Sequence, residues 1–342
     1  MAALTTGKDN TKVPTKQRPA VYIRRSRADD PEYGFPDEFI ELCEEHFDVL
    51  YEKNITGNPE LGKRVVGAYN RGPSMPISID ELWKFPNLKI VVCSGIGWDH
   101  IDVRGLNAHG IKVANNPGVS SNAVADFGIT LMLASARRLL EGVPVAMGPK
   151  QCQKFNVNWL GNDVSFASLG IVGMGDIGSK VAKRAKAFDM KIYYHNRNRK
   201  PEEEESSVGA IYCPTLADLL PRCDYVMITC PLTSETEGMF GENEFKLMKP
   251  SATIVNVARG EIIDQEALYN ALKNKTIKAA ALDVTYPEPL PRDHPLLTLP
   301  NIIIAPHMAS ATAETRKRML PPLVETVLAV VEGRPLTNEV IL

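Results

Sequence analysis

The stretch Gly170-Ile-Val-Gly173-Met-Gly175-Asp-Ile-Gly178 lies in the middle of the chain, at the end of an apolar, strand-like segment. A segment with helical periodicity follows it, and then a second apolar run, 190–194. This order of strand, glycine turn, helix and strand is the context in which a G-x-G-x-x-G match indicates dinucleotide binding. The helix start would hold the phosphates on its N–H groups. We therefore predict a cofactor-binding turn made by Gly173, Met174, Gly175, Asp176, Ile177 and Gly178.

The residues after the second strand predict which dinucleotide binds. An acidic residue that reads the ribose 2′-hydroxyl usually stands about 20 residues past the glycines. This chain has Asn196 there, followed by Arg197, Asn198, Arg199 and Lys200. An amide followed by guanidinium groups attracts a 2′-phosphate, so we predict NADP(H) rather than NAD(H), with residues 196–199 at the cofactor. The alternative is a solvated basic turn that balances the acidic run 202–205.

Size and composition indicate a globular protein with two domains. The chain has 342 residues, of which 44% are hydrophobic and 23% charged, with a net charge of −2. This balance gives no electrostatic reason to expect nucleic acid or membrane as a partner.

The six cysteines form no C-x-x-C pair and have no metal-like spacing with histidine, so we expect free thiols, no metal site and a cytoplasmic location. Residues 1–18 are polar and are expected to form a disordered leader, with an organelle transit peptide as the alternative.

Short apolar runs alternate with helical patterns along the whole chain. This alternation predicts open α/β sheets with parallel strands. A long helix is expected from Asn122 to about Met147, a linker or arm over 148–163, and a last helix over 311–332. The strand candidates beside the one at Gly170 are 20–25, 47–51, 65–68, 89–94, 111–114, 190–194, 210–213, 225–230, 253–257, 279–284 and 302–305.

Three strand ends in the second half each present an ionisable residue: Arg259, Glu288 and His307. Strand ends of an open α/β sheet converge on the crevice where a nucleotide binds. A guanidinium can hold the carboxylate of a 2-oxo acid and polarise its carbonyl, and an imidazole can protonate the developing alkoxide. A carboxylate bonded to the imidazole would fix its tautomer. Taken singly, each residue also has a structural explanation: a surface turn, a solvated loop charge or a core histidine.

These motifs resemble the D-isomer-specific 2-hydroxyacid dehydrogenases, and within that family the glyoxylate/hydroxypyruvate reductases. The resemblance covers roughly Pro86 to the C-terminus. Besides the glycine turn and the catalytic strand ends, it rests on Gly95-Ile-Gly97-Trp-Asp-His-Ile-Asp102, Asn116-Pro-Gly118, Ala123-Val-Ala-Asp126, Pro231-Leu-Thr233 and Leu282-Asp-Val284.

The resemblance implies roles for individual residues. Arg259, Glu288 and His307 match the catalytic set. The substrate would contact Arg259, His307, Ser310 and the backbone of Ser94, Gly95, Ile96 and Gly97. The cofactor would be bordered by Cys230, Pro231, Val257, Ala258 and Asp283. Three residues depart from the family pattern: Asp176 puts a charge beside the pyrophosphate, Trp98 could alter the pocket, and Cys230 replaces a frequent histidine.

The resemblance also implies the architecture: a flavodoxin-like substrate domain and a Rossmann nucleotide-binding domain, both doubly wound parallel sheets, with a cleft between them. The substrate domain would be discontinuous, 19–118 with 313–342, and the Rossmann domain would be 119–312. A homodimer formed through the nucleotide domain is expected, in which Trp159 either reaches a neighbouring active site or packs at the interface.

The main hypothesis is an NADPH-dependent reductase of glyoxylate and hydroxypyruvate. Two alternatives stay open. The first is a dehydrogenase for another 2-oxo acid, such as a ketogluconate or an aryl-substituted acid. The second is a dinucleotide-sensing scaffold like the C-terminal-binding corepressors, because a fold does not determine a function.

Overall fold

The computed structural model describes residues 18–24, 34–72, 77–148 and 159–342. Contacts divide the chain into two compact units, Met1–Asn116 with Leu320–Leu342, and Pro117–Met319. The expected leader lies outside the described residues, except for Arg18, as does most of the expected arm over 148–163.

The first unit is built on a five-stranded parallel sheet with the strand order β2-β1-β3-β4-β5. This is the flavodoxin-like doubly wound order, as predicted. Its strands are β1 (Ala20–Ile23), β2 (Asp48–Leu50), β3 (Val65–Asn70), β4 (Ile90–Cys93) and β5 (Lys112–Ala114), and its helices include α1 (Asp37–Glu44), α2 (Glu52–Gly57) and α3 (Val103–Ala108).

The last helix covers one face of this sheet. It runs over Ala313–Val331 and is the eleventh α-helix in chain order, α11. Its residues Leu323, Val324 and Val327 are buried in the core of the first unit. A Cβ added at Gly67 in β3 would lie 2.6 Å from Cγ1 of Val327, so glycine permits this close approach of helix and strand.

The second unit contains a seven-stranded parallel sheet with the order β12-β11-β10-β9-β6-β7-β8. The order reverses between β6 and β9, the topological switch point at which doubly wound sheets bind ligands. The strands are β6 (Ser168–Val172), β7 (Lys191–His195), β8 (Ile211–Tyr212), β9 (Tyr225–Ile228), β10 (Thr253–Asn256), β11 (Ala279–Leu282) and β12 (Ile302–Ile304). The predicted strands of both sheets are confirmed, with ends that differ by no more than about two residues.

The helices of this unit are α4 (Ser121–Ala136), α5 (Leu139–Met147), α6 (Asp176–Lys186), α7 (Glu202–Val208), α8 (Leu216–Leu219), α9 (Glu242–Leu247) and α10 (Gln265–Lys273). The single long helix expected from 122 to 147 was therefore wrong. Arg138 adopts a left-handed conformation, φ 53°, which ends α4 and starts α5. Its guanidinium pairs with Glu141 at 2.6 Å and lies 4.7 Å over the ring of Trp159, and these contacts hold the break.

No helix within the described ranges is long and apolar enough to cross a membrane. The five cysteines in these ranges are free thiols, and all of them are buried. Burial raises the pKa of the Cys223 thiol to about 12, so that this group stays protonated at neutral pH.

Candidate cofactor site and active site

The glycine turn follows β6 at the switch point, and two of its glycines are required by the fold. Gly173 has φ +98°, and a Cβ there would lie 2.5 Å from the backbone nitrogen of Cys230. A Cβ at Gly178 would lie 2.4 Å from the carbonyl oxygen of Gly173. Both positions exclude a side chain because the turn, the start of α6 and the end of β9 pack closely together.

Gly175 is different, because its packing does not require glycine. Its φ is −84°, and an added Cβ would meet no protein atom within 4 Å. The helix α6 begins at the next residue, and no described residue accepts a hydrogen bond from the N–H groups of Asp176, Ile177 or Gly178. Open space in front of helix N–H groups that no described residue accepts fits a pyrophosphate, so the residues at this turn fit a dinucleotide.

The charge of Asp176, which the sequence suggested would repel phosphate, is largely balanced. The hydroxyl of Ser121 donates to its carboxylate, and Lys180 forms an ion pair with it. Burial opposes ionisation of Asp176, but Lys180 and Ser121 outweigh that effect and lower its pKa. The carboxylate is thus ionised but carries its own counter-charge.

The residues after β7 divide into two groups. Asn196 supports the glycine turn, since its Oδ1 accepts a hydrogen bond of 2.6 Å from the N–H of Met174. Arg197 has a side chain that is 80% exposed and lies 3.4 Å from Glu235. Asn198 is also exposed. Arg199 instead donates to both carboxylate oxygens of Glu205, at 2.9 and 2.7 Å.

Glu205 corrects the interpretation of the acidic run 202–205 as a solvated face. Its side chain is 8% exposed, whereas Glu202, Glu203 and Glu204 are exposed. It faces inward because Tyr194 and Arg199 both donate hydrogen bonds to it. Nothing in the local sequence distinguishes it from its three acidic neighbours except its position on the inner side of a short helix.

The remaining predicted cofactor residues lie at the carboxyl ends of adjacent strands. Cys230 and Pro231 follow β9, Val257 and Ala258 follow β10, and Asp283 follows β11. Cys230, Val257 and Asp283 are buried, while Ala258 is partly exposed and Pro231 exposed. The sheet order therefore places all of them along the edge of the sheet that also carries the glycine turn.

The structure brings Glu288 and His307 into direct contact. Nδ1 of His307 lies 2.8 Å from Oε2 of Glu288, and the other carboxylate oxygen accepts the N–H of Thr285 at 3.1 Å. Gly260 makes this arrangement possible, because a Cβ there would lie 2.1 Å from the carbonyl carbon of Thr285. The turns after β10 and β11 consequently pack backbone against backbone.

The electrostatics of Glu288 connect all three predicted catalytic residues. Burial opposes its ionisation, but the hydrogen bond from His307, the charge of His307, the N–H of Thr285 and the charge of Arg259 together lower its pKa. Glu288 is thus an anion next to the imidazole. The His307 and Glu288 side chains remain 44% and 32% exposed, so solutes can reach them.

Arg259 is positioned by a buried amide that the sequence analysis missed. Asn256, which is 0% exposed, donates to the carbonyl oxygen of Arg259 at 2.8 Å and accepts the N–H of Ala258 at 3.0 Å. The guanidinium of Arg259 donates to the carbonyl oxygen of Ala258 at 2.8 Å. Asparagine at a strand end is the one signal in the sequence, because its side chain often closes a turn in this way.

Asp283 organises the backbone that carries His307, a second role that the sequence did not reveal. It is 1% exposed, and its carboxylate accepts the N–H groups of Met308 and Ala309 at 2.8 and 2.9 Å. Its carbonyl oxygen accepts the N–H of His307 at 2.7 Å. These three bonds hold His307 at φ 51°, a left-handed conformation that is uncommon for residues other than glycine.

The predicted substrate loop, Ser94–Gly97, follows β4 in the first unit. Three of its carbonyl groups are occupied: the amides of Asn115 and Asn116 donate to Ile96 and Ser94, and the N–H of Asn116 donates to Gly95. No described residue accepts a hydrogen bond from the N–H groups of Gly95, Ile96 or Gly97. Such a loop presents three N–H donors, which suits an anion.

Trp98 and Trp159, which the sequence analysis singled out, have definite neighbours. Trp98 is partly buried and packs against the core of the first unit. The ring of Trp159 lies under the guanidinium of Arg138. Ser310 is partly buried, three residues after His307.

The contrast between Gly175 and Gly178 yields a prediction. Gly175→Ala should fold with a melting temperature close to that of the native chain, because its Cβ meets nothing, but should weaken binding of the reduced nicotinamide dinucleotide by about ten-fold or more by filling the phosphate space. Gly178→Ala is the matched control and should lose about 1–3 kcal/mol of stability by overpacking. Thermal unfolding, and fluorescence titration with NADH and with NADPH, measure both effects. Unchanged affinity for both dinucleotides in Gly175→Ala would contradict the assignment of this site.

Comparison with known proteins identifies the family. A family model described as D-isomer specific 2-hydroxyacid dehydrogenase, NAD binding domain, matches residues 129–309. A glyoxylate reductase of Aeropyrum pernix is 44% identical over 328 residues, which cover 93% of this chain and 94% of that protein.

Solved structures give the same result. A glyoxylate reductase from Paecilomyes thermophila superposes with a TM-score of 0.82 at 30% identity, covering 95% of this chain and 98% of that one. An NADPH-dependent glyoxylate/hydroxypyruvate reductase from Sinorhizobium meliloti, in complex with NADP and malonate, gives 0.77 at 28% identity, covering 95% and 97%. The chain therefore belongs to the D-isomer-specific 2-hydroxyacid dehydrogenases, a family of oxidoreductases, and its second unit contains the family's NAD-binding domain.

Proposed function

We propose that the protein uses NADPH to reduce a small 2-oxo acid, glyoxylate or hydroxypyruvate, to the D-2-hydroxy acid. The observation that carries the proposal is the contact of 2.8 Å between His307 and an ionised Glu288 within the electrostatic influence of Arg259. The relatives described above are glyoxylate and glyoxylate/hydroxypyruvate reductases.

The site residues divide the work of carbonyl reduction. Arg259 binds the substrate carboxylate and polarises the carbonyl oxygen. Its planar guanidinium can make both contacts at the same time because it carries several donors. Glu288 occupies Nδ1 of His307, so Nε2 is the nitrogen that gives its proton to the carbonyl oxygen as the carbonyl carbon is reduced. When bound, the reduced nicotinamide supplies the hydride. In the first unit, the N–H groups of Gly95–Gly97, which no described residue accepts, are donors of the kind that suits a carboxylate.

This assignment gives each unit a task. The first unit serves as the substrate domain, since it carries the donor loop Ser94–Gly97. The second serves as the dinucleotide-binding domain, since the glycine turn lies at its switch point. Asp283 and Val257, at adjacent strand ends, would border the nicotinamide.

The choice of NADPH rests on the loop after β7. Asn196 takes the place of the acidic residue that would repel a 2′-phosphate, and Arg197 next to it is 80% exposed and held only by a surface ion pair of 3.4 Å. Such a pair is worth about 0–1 kcal/mol, so a phosphate can displace Glu235 at low cost.

The exposed apolar face of α5 supports a homodimer. No residue of this helix is buried, and Leu139, Leu140 and Met147 are 53, 55 and 83% exposed. A contiguous apolar surface of this kind is typical of an interface. We assign it to a second copy of this chain.

Within this proposal, the first prediction concerns the activity and the proton donor. The native protein should oxidise NADPH when glyoxylate or hydroxypyruvate is added, and His307→Gln should lower kcat by roughly 10² to 10⁴-fold because the proton donor is lost. His46→Gln, at an exposed histidine, should keep full activity. Absorbance at the NADPH band records all three rates. Activity near native levels in His307→Gln would refute the mechanism, and absence of turnover with a panel of 2-oxo acids would favour the scaffold alternative.

The second prediction concerns cofactor choice. Arg197→Ala should raise the KM for NADPH by roughly 10- to 100-fold, because that is the loss of affinity expected when a charged hydrogen bond is removed. The KM for NADH should stay within about two-fold of the native value. Arg104→Ala, at an exposed arginine of the first unit, is the control. A native enzyme that prefers NADH would disprove the proposed cofactor.

The third prediction concerns assembly. Light scattering should give twice the chain mass of 37.6 kDa for the native protein and the single mass for Leu140→Glu combined with Met147→Glu, because two charges in an apolar interface prevent association. Trp83→Glu, at a side chain that is 73% exposed in the first unit, should not change the mass. A double variant that stays dimeric would place the interface elsewhere.

A further inference from the structure

The loop of residues 196–200, here called the specificity loop, is held at both ends by its own unit. At its start, the hydroxyl of Tyr212 donates to the carbonyl oxygen of Asn196 at 3.2 Å, in addition to the bond between Asn196 and Met174. At its end, the N–H of Lys200 donates to the hydroxyl oxygen of Tyr194 at 2.9 Å. The two ends are therefore fixed before any ligand arrives.

Arg199 belongs to the fixed part of the loop. Its guanidinium makes the two bonds to Glu205 described above, and it also lies 5.8 Å from the ring centre of Tyr212. The hydroxyl of Tyr194, a residue that is 0% exposed, donates to Oε1 of Glu205 at 2.5 Å. Tyr194, Arg199 and Glu205 thus form a closed network, here called the loop clamp.

The clamp keeps its protonation state across the neutral pH range. The hydrogen bond from Arg199, followed by that from Tyr194, lowers the pKa of Glu205 to about 2. Burial, together with the bond to Glu205, raises the pKa of Tyr194 to about 12. Glu205 therefore remains an acceptor and Tyr194 a donor wherever the enzyme is expected to work.

Arg197 stands in contrast to Arg199. Both guanidinium groups follow β7, but Arg197 pairs only with Glu235, at 3.4 Å, and both partners are exposed, at 80 and 69%. A phosphate that drew Arg199 away from its bidentate bond would leave the nearly buried carboxylate of Glu205 without a counter-charge and with only the Tyr194 hydroxyl as partner among the described residues, which is unfavourable. It would lose little by displacing Glu235 from Arg197.

We propose that Arg199 does not bind the cofactor but acts with Glu205 and Tyr194 as a positioning residue, holding the specificity loop so that Arg197 alone reads the 2′-phosphate. This inference rests on the proposed use of NADPH. A loop that is ordered beforehand loses less freedom on binding, so the clamp strengthens NADPH binding through residues that never touch it.

The variant Glu205→Gln tests this inference, because the two possible roles of Arg199 predict opposite changes in the KM for NADPH. If the clamp positions the loop, the variant should raise the KM for NADPH by roughly 3- to 10-fold, with kcat and the KM for NADH unchanged, since one charged contact is weakened. If Arg199 is itself a phosphate ligand, the variant releases it and should lower the KM for NADPH. Glu242→Gln, on the exposed face of α9, is the matched control and should change neither KM.

Two further variants keep the test valid if Glu205→Gln folds poorly. Arg199→Lys keeps the charge but loses the bidentate fork, and Tyr194→Phe removes the hydroxyl that holds Lys200. Each should raise the KM for NADPH, as Glu205→Gln does, and leave kcat unchanged. Combining Arg199→Lys with Glu205→Gln should cost no more than one change alone, because the two residues act through each other.

The outcomes separate this inference from the proposed function. A native enzyme that prefers NADH overturns both. A native preference for NADPH with an unchanged or lower KM for NADPH in Glu205→Gln overturns the positioning role alone, as does an equal loss with NADPH and NADH.

Discussion

The carboxylate of Asp283 is the constraint on which the arrangement of the active site depends. It is 1% exposed, burial raises its pKa, and it is kept in place by the N–H groups of Met308 and Ala309. Pairing of β12 with β11 brings the two strand ends side by side, and these bonds then shape the backbone after β12 so that His307 meets Glu288. The buried carboxylate thus joins the ends of two neighbouring strands, and the proposed chemistry of the site follows from that junction.

The parallel sheet of the second unit brings the strand ends of the site to one edge. Because all seven strands of the second unit run in one direction, their carboxyl ends share one edge, where the glycine turn, the Arg259 turn and the Glu288 loop follow adjacent or nearly adjacent strands. Individual residues then determine how closely the turns at this edge pack. Gly260 allows close packing between the turns after β10 and β11, and Gly173 allows it between those after β6 and β9, because at each position a side chain would collide with backbone.

Much of this could be read from the sequence, for a physical reason. Apolar runs, glycine turns and ionisable strand ends are local patterns, and the parallel fold converts them directly into positions in space. Glu205 and the break at Arg138 could not be read in this way, because each depends on a partner brought near by packing: Tyr194 and Arg199 for the first, Trp159 for the second. Asn256 and Asp283 were recognisable as polar strand ends, but what they bond to became clear only from the folded chain.

The conformation of His307 has a consequence for how this protein can change. Its φ of 51° suits glycine or asparagine, and a histidine there costs on the order of 1 kcal/mol. Folding alone would therefore favour replacing the residue that we propose as the proton donor. Any search for thermostable variants that monitors only melting will tend to drift toward inert proteins at this position, so a screen for catalysis has to accompany it.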